Sequence, residues 1–431
     1  MEHSNINRIQ ELAGLWSLAC DPLNLGKEEK WFEAEIIEGS QDAPVPGIIQ
    51  QVFPDYHGVV WYRHSFMPDI FYSDNNEYIL KFGFVDYFAE FWLNGNYVGS
   101  HEGGEMPFEF DVTNNLKTDK INILDLRLIN PVDTPLDGFI LNETPHRNKM
   151  PRGISFGSLF NYGGIIYPVQ LVSVPKIRIL NVFSKADYKT GEIENVIVLS
   201  NNTASIAQCM INISVCAKSS GETILSITEE ICLSPGETTL KKTVMIHRPK
   251  LWSLDDPYLY RINAELIAFK TESSSAHNYS VCCGFRDFCV EKGFFRINGK
   301  RIFVKSTHTG NHYPIGQIVP TEKRFLFQDL IYAKASGFNM VRFIAGVAFP
   351  EQLDFCDEIG LLVYEECASS WLLKNSPKML ERFDIPTLEM IKRDRNHPSV
   401  VIWGLLNEEN MGPVAEHAIG FLPKIREIDE T

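Results

Sequence analysis

Asn407 and Glu408 stand directly after Val400 to Leu406, an apolar run without alternation of the kind a parallel strand covered on both faces presents. Pro398 ends whatever helix precedes that run, so the pair falls at the C-terminal end of a strand, the rim where reactive side chains gather in α/β barrels. A carboxyl group there is a candidate for proton transfer. Position alone leaves a second reading equally open, in which Asn407 and Glu408 cap the next helix. Other strand ends supply further candidates: Arg342 at the end of a second strand, Glu365 and Glu366 at the end of a third, and His308 and His312 after a first. The two glutamates either line a pocket or serve as ion-pair partners, and the two histidines either reach the pocket or are satisfied within the fold. Trp403 and Trp371 could offer stacking platforms, although Trp403 lies inside the buried run and reads better as core. Gly153-Ile-Ser155-Phe-Gly157 fits a nucleophile elbow, but a polar loop precedes it and a strand comes after it, so Ser155 reads as loop. No phosphate-binding loop or dinucleotide fingerprint appears.

The elements that must position these residues fall into three regions. Residues 1–174 show short strands of period two broken by Gly, Asn and Pro, and Asn94-Gly95 supplies the turn of a clear hairpin. Residues 175–284 repeat that character at the length of a small antiparallel sandwich, with strands expected over 196–200, 211–217, 238–247 and 258–266. After Gly284 the period changes, and in residues 285–431 strands alternate with helix-length amphipathic stretches, the signature of βα units. Strands are expected at 301–306, 339–343, 361–365 and 400–406. Helices should follow Thr321 as N-cap, run from Pro350 to Ile359, end before Pro398, and cover Pro413 to Ile428. Four such units are half of the eight that a closed barrel of about 250 residues needs.

Composition narrows the function classes. With 44% hydrophobic and 22% charged residues the chain is of the globular type. Its formal charge of −15, with no basic run, disfavours nucleic acid and anionic membranes as partners. The nine cysteines are scattered without CxxC spacing, and the N-terminus lacks a signal-peptide pattern, so reduced thiols and a cytoplasmic location are expected.

The run His397-Pro-Ser-Val-Val-Ile-Trp403 followed by Asn407-Glu408 resembles the acid/base signature of family 2 glycoside hydrolases, the group of β-galactosidases, β-glucuronidases and β-mannosidases. Other segments agree in order: Val45-Pro46-Gly47, Gly58-Val-Val-Trp61-Tyr62-Arg63, His101-Glu102-Gly103-Gly104, Leu251-Trp252-Ser253, Gly284-Phe285-Arg286 and Gly337-Phe-Asn339-Met-Val-Arg342. The resemblance implies a jelly-roll-like sugar-binding β-sandwich, an immunoglobulin-like β-sandwich and the first half of a TIM (β/α)₈ barrel. It implies a retaining double displacement on β-glycosides, with Glu408 as general acid/base, protonated by an apolar, partly dry pocket. Asn407 would bond the sugar's 2-hydroxyl. Arg342 matches the family's pocket arginine, which would hold the nucleophile ionised, and His308, His312, Glu365 and Glu366 would line the substrate pocket. The nucleophile itself belongs to a seventh strand, beyond Thr431, so the barrel is expected to be truncated, this chain alone nearly inactive, and its open edges prone to self-association. His308, Gly310, Asn311 and the stretch Ala345-Gly-Val-Ala-Phe349 depart from the family pattern. No cofactor is expected, while metal dependence and the identity of the sugar stay open. The alternative is a non-catalytic carbohydrate-binding or assembly protein that kept the architecture and lost the reaction centre.

Overall fold

The computed structural model describes residues 8–69, 73–144, 149–150, 160–269, 275–313, 315–367 and 370–430. The Gly153 to Gly157 segment and the Trp371 side chain lie outside them.

The N-terminal region is a sandwich of antiparallel sheets. One has six strands in the order Gln41–Val45, Gly14–Cys20, Gly58–Phe66, Asn122–Asn130, Phe88–Leu93 and Asn96–Glu102. The other has four, Arg8–Glu11, Val169–Pro175, Asn76–Phe82 and Phe108–Asp111. Alternate residues of both, among them Leu18, Tyr62, Leu126, Leu80 and Leu171, meet in one core. At the tip of the Phe88–Leu93 hairpin Asn94 and Gly95 take φ of 55° and 78°, the two positive values a type I′ turn requires.

A second, smaller sandwich pairs Ile177–Ala186, Glu192–Asn201 and Gly236–Met245 against Thr223–Leu233, Ala207–Ala217, Tyr260–Ala268 and Ser275–Cys283. Its inward-facing Ile, Val and Leu residues alternate with outward ones, the half-buried pattern of an immunoglobulin-like core. Trp252, just before its closing strands, is fully buried and donates Nε1–H to the carbonyl of Asp357 at 2.8 Å, tying this sandwich to the C-terminal region.

That last region opens with a meander, Phe288–Glu291, Phe294–Ile297 and Lys300–Arg301, and continues as four parallel strands in sequence order: β1 (Ser306–Thr309), β2 (Met340–Phe343), β3 (Leu362–Glu366) and β4 (Val400–Gly404). Between and after them run α1 (Lys323–Ala335), α2 (Pro350–Ile359), α3 (Met379–Asp394) and α4 (Pro413–Ile428). Two expectations need correction. The first parallel strand does not span 301–306, because Lys300–Arg301 pairs back onto Phe294–Ile297 and Ile302 and Val304 pack with Trp252 and Met340 beneath the sheet. Thr321 does not cap α1; Glu322 occupies the N-cap, without a side-chain hydrogen bond. Among the described residues no helix is long and apolar enough to cross a membrane.

Candidate active site

Partners in a parallel ladder point to one face, and neighbours along a strand alternate. The register therefore sorts the rim residues into two rows. His308, Arg342, Tyr364 and Ile402 share one, and Thr309, Phe343, Glu365 and Trp403 share the other. Phe343 and Val363 of the second row pack against Leu330 of α1 and Leu353 of α2, so that row faces the helices. Glu366, one residue past Glu365, returns to the side of Arg342.

There Arg342 makes the central connections. Its Nε donates to Glu366 Oε1 at 2.5 Å and its Nη2 to Asn407 Oδ1 at 2.7 Å, while the guanidinium lies 5.1 Å from the Tyr364 ring centroid. Glu366, 2% exposed in its side chain, also accepts the Ala345 amide at 2.7 Å through Oε2. Gly404 borders this cluster, and a Cβ added to it would collide with the side chains of Glu366 and Tyr364. Because Arg342 occupies Asn407 Oδ1, the Nδ2 amide of Asn407 is left to donate elsewhere, and it makes no hydrogen bond among the described residues.

Glu408 follows in the left-handed region at φ 52°, uncommon for a non-glycine residue. Its side chain is exposed and makes no hydrogen bond or ion pair among the described residues. The helix-cap reading of the pair fails, since α4 begins at Pro413 with Gly412 at its N-cap. The dry apolar pocket is expected around Glu408 in an intact barrel; in this chain the residue is exposed. Glu409, which sequence reasoning passed over, buries Oε2 without a hydrogen-bond partner among the described residues, and burial raises its carboxyl pKa above the usual range.

The remaining candidates divide. His308 is exposed in the row of Arg342. His312 follows β1 with its ring 5.4 Å from that of Phe160, a residue of the N-terminal region. Glu365 is a correction to the pocket reading, for it is wholly buried on the helix side, accepts the Ala348 amide at 2.9 Å and lies 3.5 Å from Arg393 Nη2. Burial, reinforced by neighbouring Asp394, pushes its carboxyl pKa well above the ordinary carboxylate range, against the opposing pull of Arg393 and the Ala348 amide. Trp403 shares that side and bonds Asp429 Oδ2 at 2.9 Å, as a core residue does. Asn311 and Gln352 exchange side-chain hydrogen bonds at 3.0 and 2.8 Å, a structural pair. Asp354, Asp357 and His397 bring their ligand atoms within 4.8 Å of one another, yet Asp357 is already committed to His397 Nδ1 at 2.7 Å and the Ser399 amide at 2.9 Å. Asp357 and His397 form an ion pair that supports the turn into β4, with Asp354 beside it.

Three family models match in succession: the sugar binding domain of Glycosyl hydrolases family 2 over residues 42–175, the central family 2 domain over 174–286, and the family 2 TIM barrel domain over 288–431. The β-glucuronidase of Canis lupus familiaris is 27% identical over 432 residues, covering 93% of this chain and 63% of its own length. A β-galactosidase of Yersinia enterocolitica is 25% identical over 449 residues, covering 94% of this chain and 40% of its own. The chain thus spans less than two thirds of either relative. Among solved structures, a Ruminococcus gnavus β-glucuronidase in complex with D-glucuronic acid superposes with a TM-score of 0.79 at 21% identity, over all of this chain and 71% of that one, a likeness of fold.

Proposed function

The chain belongs to family 2 of the glycosyl hydrolases, and from that membership we propose that its barrel rim is the acid/base side of a β-glycosidase centre working by retaining double displacement. The observation that carries this reading is the clamp of Arg342 on Asn407. With Oδ1 held by the guanidinium, the orientation of the amide is set and its Nδ2 stays free of protein partners among the described residues, able to donate to a sugar hydroxyl next to the anomeric carbon. Glu408, adjacent and unpaired, protonates the leaving oxygen and then, as a carboxylate, takes a proton from the incoming water. A retaining centre also needs a carboxylate nucleophile about 5 Å from it, which the family resemblance assigns to a later barrel strand. Arg342, with Nε and Nη2 committed to Glu366 and Asn407, acts first as the clamp of this site.

The test uses a longer protein that carries the whole barrel. Glu408→Gln should slow aryl β-glycosides with poor leaving groups far more than activated ones, because only the former need a proton. Equal slowing of both overturns the assignment. Since the relatives include β-glucuronidases and β-galactosidases, both sugars belong in the panel.

A further inference from the structure

Residues 344–349, the loop joining β2 to α2, form neither helix nor strand, yet the loop is pinned from both sides of the sheet. On the side away from the helices Ala345 donates its amide to Glu366 Oε2 at 2.7 Å. On the helix side Ala348 donates its amide to Glu365 Oε1 at 2.9 Å, and the Ala348 carbonyl accepts from Arg393 Nη2 at 2.9 Å. Two consecutive carboxylates at the end of β3 thereby hold one loop between them. Arg393 is in turn fixed by Asp394, with Nε on Oδ1 and Nη2 on Oδ2, both at 2.7 Å, and its guanidinium lies 5.9 Å from the ring centroid of Phe84 in the first sandwich. Glu365 and Asp394 are 0% and 1% exposed, so neither can touch a substrate. Ala345 stands at φ 50°, a conformation that an alanine keeps only when its surroundings impose it.

We propose that Glu365, Arg393 and Asp394 are positioning residues: from behind the sheet they anchor Ala348, and thereby keep the Ala345 amide on Glu366 and the Arg342–Glu366–Asn407 cluster in register. Loss of the Ala348 anchor lets the loop swing and withdraws a donor from Glu366. Glu366 then no longer holds the Arg342 fork against Asn407. The proposal rests on the reading of that cluster as the sugar-facing site, but its anchor can be tested without any turnover.

Hydrogen exchange with mass spectrometry on the 431-residue chain reads it. Glu365→Ala should speed exchange about tenfold, the effect of losing one buried hydrogen bond, in peptides spanning 343–349 and in those spanning 405–410, leaving both sandwiches unchanged. Glu365→Gln should restore protection, because its Oε1 still accepts from Ala348 and its side chain keeps the shape of the glutamate. Unchanged exchange in Glu365→Ala, a faster loop with an unchanged 405–410 segment, uniform loosening of the whole region, or a Gln variant as loose as the Ala variant would each overturn the proposal. Should the longer protein turn over no glycoside, the functional reading falls while the exchange result stands by itself.

Discussion

A carboxylate beside an imidazole makes the stability of this fold depend on alkaline pH. Burial alone would depress the pKa of His397, but Asp357 at 2.7 Å, with Asp394 and Asp354 nearby, outweighs burial and raises it from 6.5 to about 9. The folded state therefore binds the proton more tightly than the unfolded one. The stabilisation, on the order of 3 kcal/mol, is fully present below the unfolded value and is lost as pH rises through about 9. Denaturant midpoints measured from neutral to alkaline pH should fall across that window, and His397→Gln should flatten the fall; an equal slope in the variant contradicts the assignment. Arg342→Lys tests the neighbouring site. A lysine retains the charge but not the planar fork that serves Glu366 and Asn407 together, so glycoside affinity in the longer protein should drop about tenfold without loss of folding. Calorimetric titration reads it, and an affinity equal to the parent's would remove Arg342 from the site. The rim placement of Asn407 and Glu408 could be read from the sequence because they follow an apolar run, and that of Arg342 because it lies near the end of one short strand. Glu365 and Glu366 were not separable, since which of two consecutive residues faces the cleft depends on strand parity, and the β3–β4 ladder slips by a residue between Val363 and Tyr364.

At the level of elements, local chemistry was a good guide wherever one residue type had to sit in one conformation. The Asn-Gly turns at 94–95 and 298–299 take the positive φ pairs their types imply, and α2 and α4 begin at the prolines that suit a first helical turn. The error at the first barrel strand has a physical origin: Ile302 and Val304 alternate like a strand because they bury against the Trp252 cluster, while the partner needed for a parallel ladder is available only from Ser306 onward. Nor does sequence explain why β4 ends in glycine. The structure does, as the Glu366 and Tyr364 side chains leave no room for a Cβ at Gly404. Gly404→Ala should cost about 1–3 kcal/mol by overpacking and push Glu366 off the Ala345 amide. Urea unfolding gives the first effect and exchange at residues 343–349 the second; a variant as stable and as protected as the parent would show that β3 yields without strain.

Across the whole molecule, the order of the three regions is set by changes of period along the chain, but the contacts between them carry no sequence signal. Glu102, at the end of a strand of the first sandwich, accepts Arg382 Nε from α3 at 2.6 Å across 280 residues, together with Lys378 at 3.1 Å and the Tyr87 hydroxyl at 3.1 Å. Arg286 reaches from the end of the second sandwich to the carbonyls of Pro398 and Val400 at 3.1 and 2.8 Å. Both sandwiches thus grip the barrel segment, which helps four parallel strands hold their shape although β1 and β4 have no outer strand partner among the described residues. The grip does not cover everything: Phe303 is 80% exposed and Met411 76%. Unpaired strand edges beside exposed apolar side chains are templates for further pairing. The 431-residue chain should therefore show a weight-average mass that grows with concentration in sedimentation equilibrium. Lysine placed at Phe303 should reduce that growth, because a charge beside an open edge opposes a second strand. A sharp, concentration-independent monomer in the parent chain would mean that the edges of this sheet are protected by their twist and flanking loops alone.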